Sequence, residues 1–184
     1  MQQDISKFVL PKNFRGKNAF VVQIWWLCQA SLFRFSPRMF NGFRGMLLRF
    51  FGAEIGRNCI IRPTVRITYP WKLKMGDNCW IGDNVCLYTL GNIAVGSNTV
   101  ISQGAHLCAA DHDARSMSFQ IRDRPIIIGD SCWIAADCFV APGATVEDGS
   151  VISARSTVFG LMPAWKICAG SPCRPLKDRV IDRP

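Results

Sequence analysis

From Ile55 onward the chain keeps a six-residue beat. Ile, Leu, Val or Met opens a hexad at Ile55, Ile61, Ile67 and Leu73, at Met75, Ile81, Leu87 and Ile93, and at Val95, Ile101 and Leu107. After an interruption the beat returns at Ile128, Ile134, Val140, Val146, Ile152 and Val158, with Ala164 as its weak last member. The fifth position is mostly small, as at Cys59, Cys79, Thr99, Ala105, Cys132, Cys138, Ser150 and Ser156. A helix repeats every ~3.6 residues and an ordinary strand every ~2, so this beat belongs to neither alone. It marks a parallel β-helix, in which each short strand ends at a corner and three strands complete one coil. Coils of this kind bury one another's apolar faces and are not stable singly.

The openers "IGRNC", "MGDNC" and "VGSNT" recur at 55, 75 and 95, so the first coils carry two residues beyond three hexads, expected at a corner; "IGDSC" at 128 starts coils of three plain hexads. Gly56, Gly76, Gly96 and Gly129, each following an opener, are expected to serve tight backbone turns. The nine cysteines are odd in number and form no C-x-x-C pair. Four of them, Cys59, Cys79, Cys132 and Cys138, fall on the small inward position, where a free thiol behaves as a small hydrophobe. The spacing offers no metal-ligand set, and no cleavable signal sequence precedes the cysteines. A reduced, cytoplasmic protein without a metal is the expectation.

Residues 1–54 hold six of the nine net positive charges and two apolar stretches, "NAFVVQIWWLCQASLF" and "RMFNGFRGMLLRFFG". The first is too short for a comfortable transmembrane helix, which needs roughly 20 residues. A pair of amphipathic helices is expected instead. Such helices, carrying Trp25, Trp26 and arginines, suit either the rest of the fold and a neighbouring subunit, the commoner use, or an anionic membrane surface, which residues 17–51 would meet at the inner face of the cytoplasmic membrane. The basic residues are scattered among large aliphatics with no recognition motif, which argues against nucleic acid. Three segments follow: a helical 1–54, a β-helix over 55–177 and a tail over 178–184.

The beat stops inside "LCAADHDARSM", at one of only two histidines, His112, between Asp111 and Asp113. A loop over 113–127 is expected to leave the prism there, with His112 at its root on rigid scaffold. Imidazole, with a reference pKa of about 6.5, is suited to removing a proton from a hydroxyl at neutral pH. Asp111 or Asp113 is a candidate to orient the ring. His106, in an unbroken hexad, reads as an exposed corner residue.

The stretches "ITYPWKLKMGDNCWIGDNVCLYTLG" and "LCAADHD…PIIIGDSCWIAADCFVAPGATVEDGSVISARSTVF", closed by "AGSPCRPLK", resemble the hexapeptide-repeat acetyltransferases of the galactoside and maltose branch. The segment "FRGKNAFVVQIWWLCQASLF" is similar to the acetyltransferases of colanic-acid and related exopolysaccharide biosynthesis. The resemblance implies an all-β fold, a left-handed parallel β-helix with an N-terminal helical segment and an extruded loop, assembled as a homotrimer. It implies acetyl-CoA as co-substrate and a sugar or lipid-linked oligosaccharide as acceptor, with His112 as general base. On the donor side it implies Ala136, Ala154, Arg174 and Lys177, with Trp133 as a groove aromatic. Trp80, Asn84, Tyr88 and Asp111 are the candidates for the acceptor. Phe159 and Gly160 stand where the family often has a Thr-Lys pair, and Gly82 where relatives have an Asn credited with oxyanion support. The leading expectation is O-acetylation of an exopolysaccharide precursor. N-acetylation of an amino sugar and a non-catalytic scaffold stand as alternatives; a zinc carbonic anhydrase on the same prism would require three histidines, and this chain has two.

Overall fold

A computed structural model describes residues 3–182. The last two residues of the expected tail lie outside the described residues. The chain is a parallel β-solenoid whose short strands stack into three sheets of six, seven and five strands. On the first face the ladder runs Ile55, Met75, Val95, Ile128, Val146, Met162. The second runs Ile61, Ile81, Ile101, Ile134, Ile152, Cys168. The third runs Ile67, Leu87, Leu107, Val140, Val158. Nearly all of these side chains are fully buried in one continuous core, each contributing about 1.5–3 kcal/mol by leaving water.

Two expectations change and one holds. The two extra residues of the early coils sit at the corner between the third and first faces: Leu73 follows Ile67 by six residues, where the matching inward Ala144 follows Val140 by four, and the helical turn Pro70–Lys72 takes up the difference in the first coil. Beyond that corner Leu73 pairs with Ile93 and Met75 with Val95, all four turned inward. Ala164 is not a ladder residue. The last turn shortens, Met162 takes the stacked position opposite Val146, and Ala164 is only half-buried. The glycines after the openers do not supply the turns either. Positive φ falls two residues later, at Asn58, Asn78, Asn98 and Ser131, where Asn in particular tolerates the left-handed conformation. At Gly96 the need is space: a Cβ would run into the Gly129 carbonyl carbon and the Asp130 carboxylate of the next coil.

The small fifth position has a polar reason as well as a steric one. Its thiol or hydroxyl donates to a carbonyl of the following coil: Cys79 Sγ to Gly96 O at 3.0 Å, Thr99 Oγ1 to Gly129 O at 2.8 Å, and Cys132 Sγ to Glu147 O at 3.1 Å. Burial pushes the Cys132 and Cys138 thiols up and that of Cys173 to about 11, so these sulfurs stay protonated and inert.

The N-terminal segment closes the open end of the solenoid. Helix α1 (Ala19–Cys28) is capped by the Asn18 side chain, continues as a wider turn to Phe33, and is followed by α2 (Asn41–Phe50). The first coil has no coil beneath it, and an unpaired strand edge must find partners. Trp25 Nε1 donates to Ile67 O at 2.8 Å, the Gln29 amide oxygen accepts from Ile67 N at 2.6 Å, and Arg49 donates to Ile55 O and Gly56 O. Arg44, fully buried, donates to Ile61 O, Pro37 O, Arg38 O, Ser36 Oγ and Asn41 Oδ1. Trp25 and Arg44 therefore face inward rather than toward a surface. The amphipathic description fits α1 poorly, since it is apolar on both sides: Val22 and Trp25 buried, Phe20 and Leu27 about seven-tenths exposed. At the far end the strand Cys173–Asp178 folds back antiparallel on Lys166–Gly170.

Candidate active site

Between the third face of one coil and the first face of the next, the chain leaves the prism as an antiparallel hairpin. Strand Ala110–His112 pairs with Ile121–Asp123, so the excursion has its own ladder and starts ahead of the expected 113. His112 ends the first of these strands, exposed, with Nδ1 2.8 Å from Phe119 O. A carbonyl oxygen only accepts, so Nδ1 carries the proton and Nε2 presents a free lone pair. The ring lies flat on Phe119, centroids 4.1 Å apart and planes within 6°. Phe8 flanks it at 6.1 Å, brought there because Asp4 N donates to Met117 O.

Neither neighbouring carboxylate holds the imidazole. Asp111 accepts from Arg122 Nε at 2.9 Å and lies 3.6 Å from Arg124. Asp113 accepts from the Arg115 backbone N–H, which holds its carboxyl below the usual range, with Arg122 and Arg115 adding to the effect. Successive residues of a strand point to opposite sides, so Asp111 cross-braces the hairpin while His112 faces away. The ring's orientation comes from Phe119, a residue whose backbone carbonyl leaves no mark in a sequence pattern.

The remaining candidates divide among the corners of the prism. Tyr88 lies on the outer side of the third face, paired in register with Cys108 just before the hairpin departs. His106 is not at a corner: it sits mid-face, half-buried between Tyr88 and Phe139, with Nε2 buried and unpartnered. Burial, then Arg66, lowers its pKa. Trp80 and Trp133 stand on the outer side of the second face with Val100 between them, and Trp133 Nε1 donates to Ser102 Oγ at 2.9 Å. Ala136 and Ala154 stack at the corner between the second and third faces, where Ala136 O accepts from Arg155 N. Asn84 takes a left-handed turn at that same corner, and its N–H is bonded to Thr64 Oγ1. Arg174 and Lys177 project exposed from the returning strand, without carboxylate partners among the described residues. Within one chain, then, Tyr88 lies on the third face and His112 on the hairpin that leaves it, and the donor-side candidates lie elsewhere.

Residues 125–160 match the family described as bacterial transferase hexapeptide, and residues 72–109 the hexapeptide repeat of succinyl-transferase. The chain is 53% identical over 178 residues to WcaF of Escherichia coli (strain K12), assigned as a colanic acid biosynthesis acetyltransferase, with 97% of this chain and 98% of that one covered. It belongs to the hexapeptide-repeat acetyltransferases. The galactoside O-acetyltransferase of Escherichia coli (strain K12) is 28% identical over 73% of this chain and 68% of its own length. A solved galactoside acetyltransferase in complex with coenzyme A superposes with a TM-score of 0.79 at 23% identity, covering 91% of this chain and 83% of that one. A hexapeptide-repeat acetyltransferase from Vibrio cholerae superposes at 0.81 and 20%, covering 91% and 98%.

For this acetyltransferase two departures from the family pattern have local reasons. No side chain fits at Gly82, where a Cβ would stand 2.6 Å from Gln103 N. Gly160 has φ +69° with open space around it, so its conformation, not crowding, favours glycine there. Among the described residues of the acetyltransferase, no three His, Cys, Asp or Glu side chains are grouped to hold a metal ion.

Proposed function

We propose that the chain transfers an acetyl group from acetyl-CoA to a hydroxyl of a sugar in an exopolysaccharide precursor, with His112 as general base. The observation that carries this reading is the fixed tautomer of His112: Nδ1 donates to Phe119 O, leaving Nε2 exposed as the proton acceptor. Nε2 takes the hydroxyl proton as the sugar oxygen attacks the thioester carbonyl. The tetrahedral intermediate collapses with cleavage of the carbon–sulfur bond, and the proton on Nε2 passes to the departing thiolate. Throughout, the Phe119 carbonyl keeps its bond to Nδ1–H and holds the ring in place.

The donor is assigned to the corner of Ala136 and Ala154 with Trp133, and its phosphates to Arg174 and Lys177, whose exposed cationic ends, without carboxylate partners among the described residues, suit them. Trp80, Tyr88, Asn84 and Asp111 remain the acceptor candidates. Since His112 leaves from one corner and the donor-side residues occupy another, the complete site is assigned to the cleft between two copies of a homotrimer. A lipid-linked oligosaccharide acceptor and a cytoplasmic acetyl-CoA supply fit together at the inner face of the membrane.

The test is thiol release from acetyl-CoA over a panel of glycans with hydroxyl and amino acceptors. His112→Ala should lose about a hundredfold or more in rate with unchanged secondary structure. Undiminished turnover in that variant refutes the mechanism, and turnover restricted to amino sugars refutes O-acetylation.

A further inference from the structure

The helical cap has an outer side that the solenoid does not cover. On α2, Phe43 and Phe50 are seven residues apart and so share a side. Ile24 and Phe50 line one apolar depression of about 310 Å³, and Ser31 and Phe43 line a second of about 480 Å³ with Leu32, Phe35 and Phe40. The two depressions therefore open along one side of α2. Phe35 lines the second depression and Phe50 the first, and these two, with Phe20 and Leu27 on α1, are each more than seven-tenths exposed, large apolar side chains of a kind that soluble monomers seldom leave bare in such number.

Its charge says what it meets. No acidic side chain occurs between Ile5 and Ala53. Arg44 and Arg49 are used up inside the cap, Arg38 pairs with Asp83, and Lys7 with Asp4. Lys12, Lys17 and Arg34 stay exposed without a carboxylate among the described residues, Lys17 lining the first depression and Arg34 beside Phe35. A self-contact of this surface would bring like charges together. An anionic lipid surface instead offers phosphates to the cations and acyl chains to the rings. No described helix is long and apolar enough to cross a membrane.

We infer that the α1–α2 cap is a peripheral docking face for an anionic bilayer, with Phe20, Leu27, Phe35 and Phe50 entering the interface and Lys12, Lys17 and Arg34 on the headgroups. The inference stands apart from the acceptor's identity, because its readout needs no acetyl transfer. The full-length chain is sedimented with phosphatidylglycerol vesicles and with phosphatidylcholine vesicles, at low and high salt, beside Phe35→Ser/Phe50→Ser and Lys17→Glu/Arg34→Glu. Both pairs sit on exposed positions outside the proposed site, so thiol release with a water-soluble acceptor should be unchanged. Support is binding to phosphatidylglycerol vesicles that salt weakens and that falls about tenfold or more in each variant. Wild-type protein left in the supernatant, or variants that bind like wild type, overturn the proposal. So does a fall in oligomeric mass in the Phe35→Ser/Phe50→Ser variant without vesicle binding by the wild type, which would assign this face to a second copy.

Discussion

The two histidines receive opposite treatment from their surroundings. His112 keeps one nitrogen bonded to a carbonyl and the other in the open. His106 is wedged between Tyr88 and Phe139 with a buried, unpartnered Nε2. Burial disfavours the charged form, and Arg66 opposes it further, so the folded pKa of His106 lies below its ordinary 6.5. Between those two values the unfolded chain binds the extra proton and the folded chain does not, so stability must fall as pH drops below the ordinary value. In melts from about pH 7 to about pH 5, His106→Phe should flatten that fall relative to wild type while leaving Tm near neutrality within a few degrees. An unchanged slope would remove His106 from the account. At this scale the sequence was uneven as a guide. His112 announced itself by interrupting a periodicity. Its orienting partner did not, because a carbonyl belongs to every residue type, and the nearby Asp111 turned out to serve Arg122.

Among the elements, the ladder openers were the easiest to read, since each large inward residue recurs at a fixed interval and the core demands it. Ala164 shows the limit. A fixed frame cannot register a turn shortened by two residues, and Met162, the true ladder member, sits outside it. The N-terminal helices were harder, because their apolar and basic residues suit either a membrane or a core. Arg44 settles its own case: all of its donors are spent on the first coil and on the chain entering α2. A buried cation held only by neutral oxygens is tolerable because every N–H is used. Arg44→Met would strand Ile61 O, Pro37 O and Arg38 O, a loss of about 3 kcal/mol or more. Thermal melts at fixed protein concentration should show Tm lower by about 10 °C, with Arg44→Lys recovering only part, since an ammonium cannot reproduce the guanidinium fork. A variant melting like wild type would mean that the cap is held by its apolar contacts alone.

At the scale of the whole molecule, the prism separates the groups that the proposed mechanism must join. The hairpin bearing His112 leaves from one corner, and Ala136 and Ala154 stack at another, on coils whose rigidity forbids either from bending toward the other. A site built across two copies predicts that defects on the two sides complement one another. Ala154→Trp places a bulky ring on an exposed corner position, where it should block the donor without disturbing the core, and His112→Ala removes the base. Each variant alone should be nearly inactive. In the proposed homotrimer, co-expression in equal amounts would give mixed assemblies in which about one cleft in four combines an intact corner with an intact histidine. Thiol release should therefore recover to about a quarter of the wild-type rate in the mixture. If His112 and the donor corner of the same chain formed the site, every cleft in the mixture would carry one of the two defects, and mixing would restore nothing. Recovery would also demonstrate assembly directly, because separate single chains have no means of sharing a base.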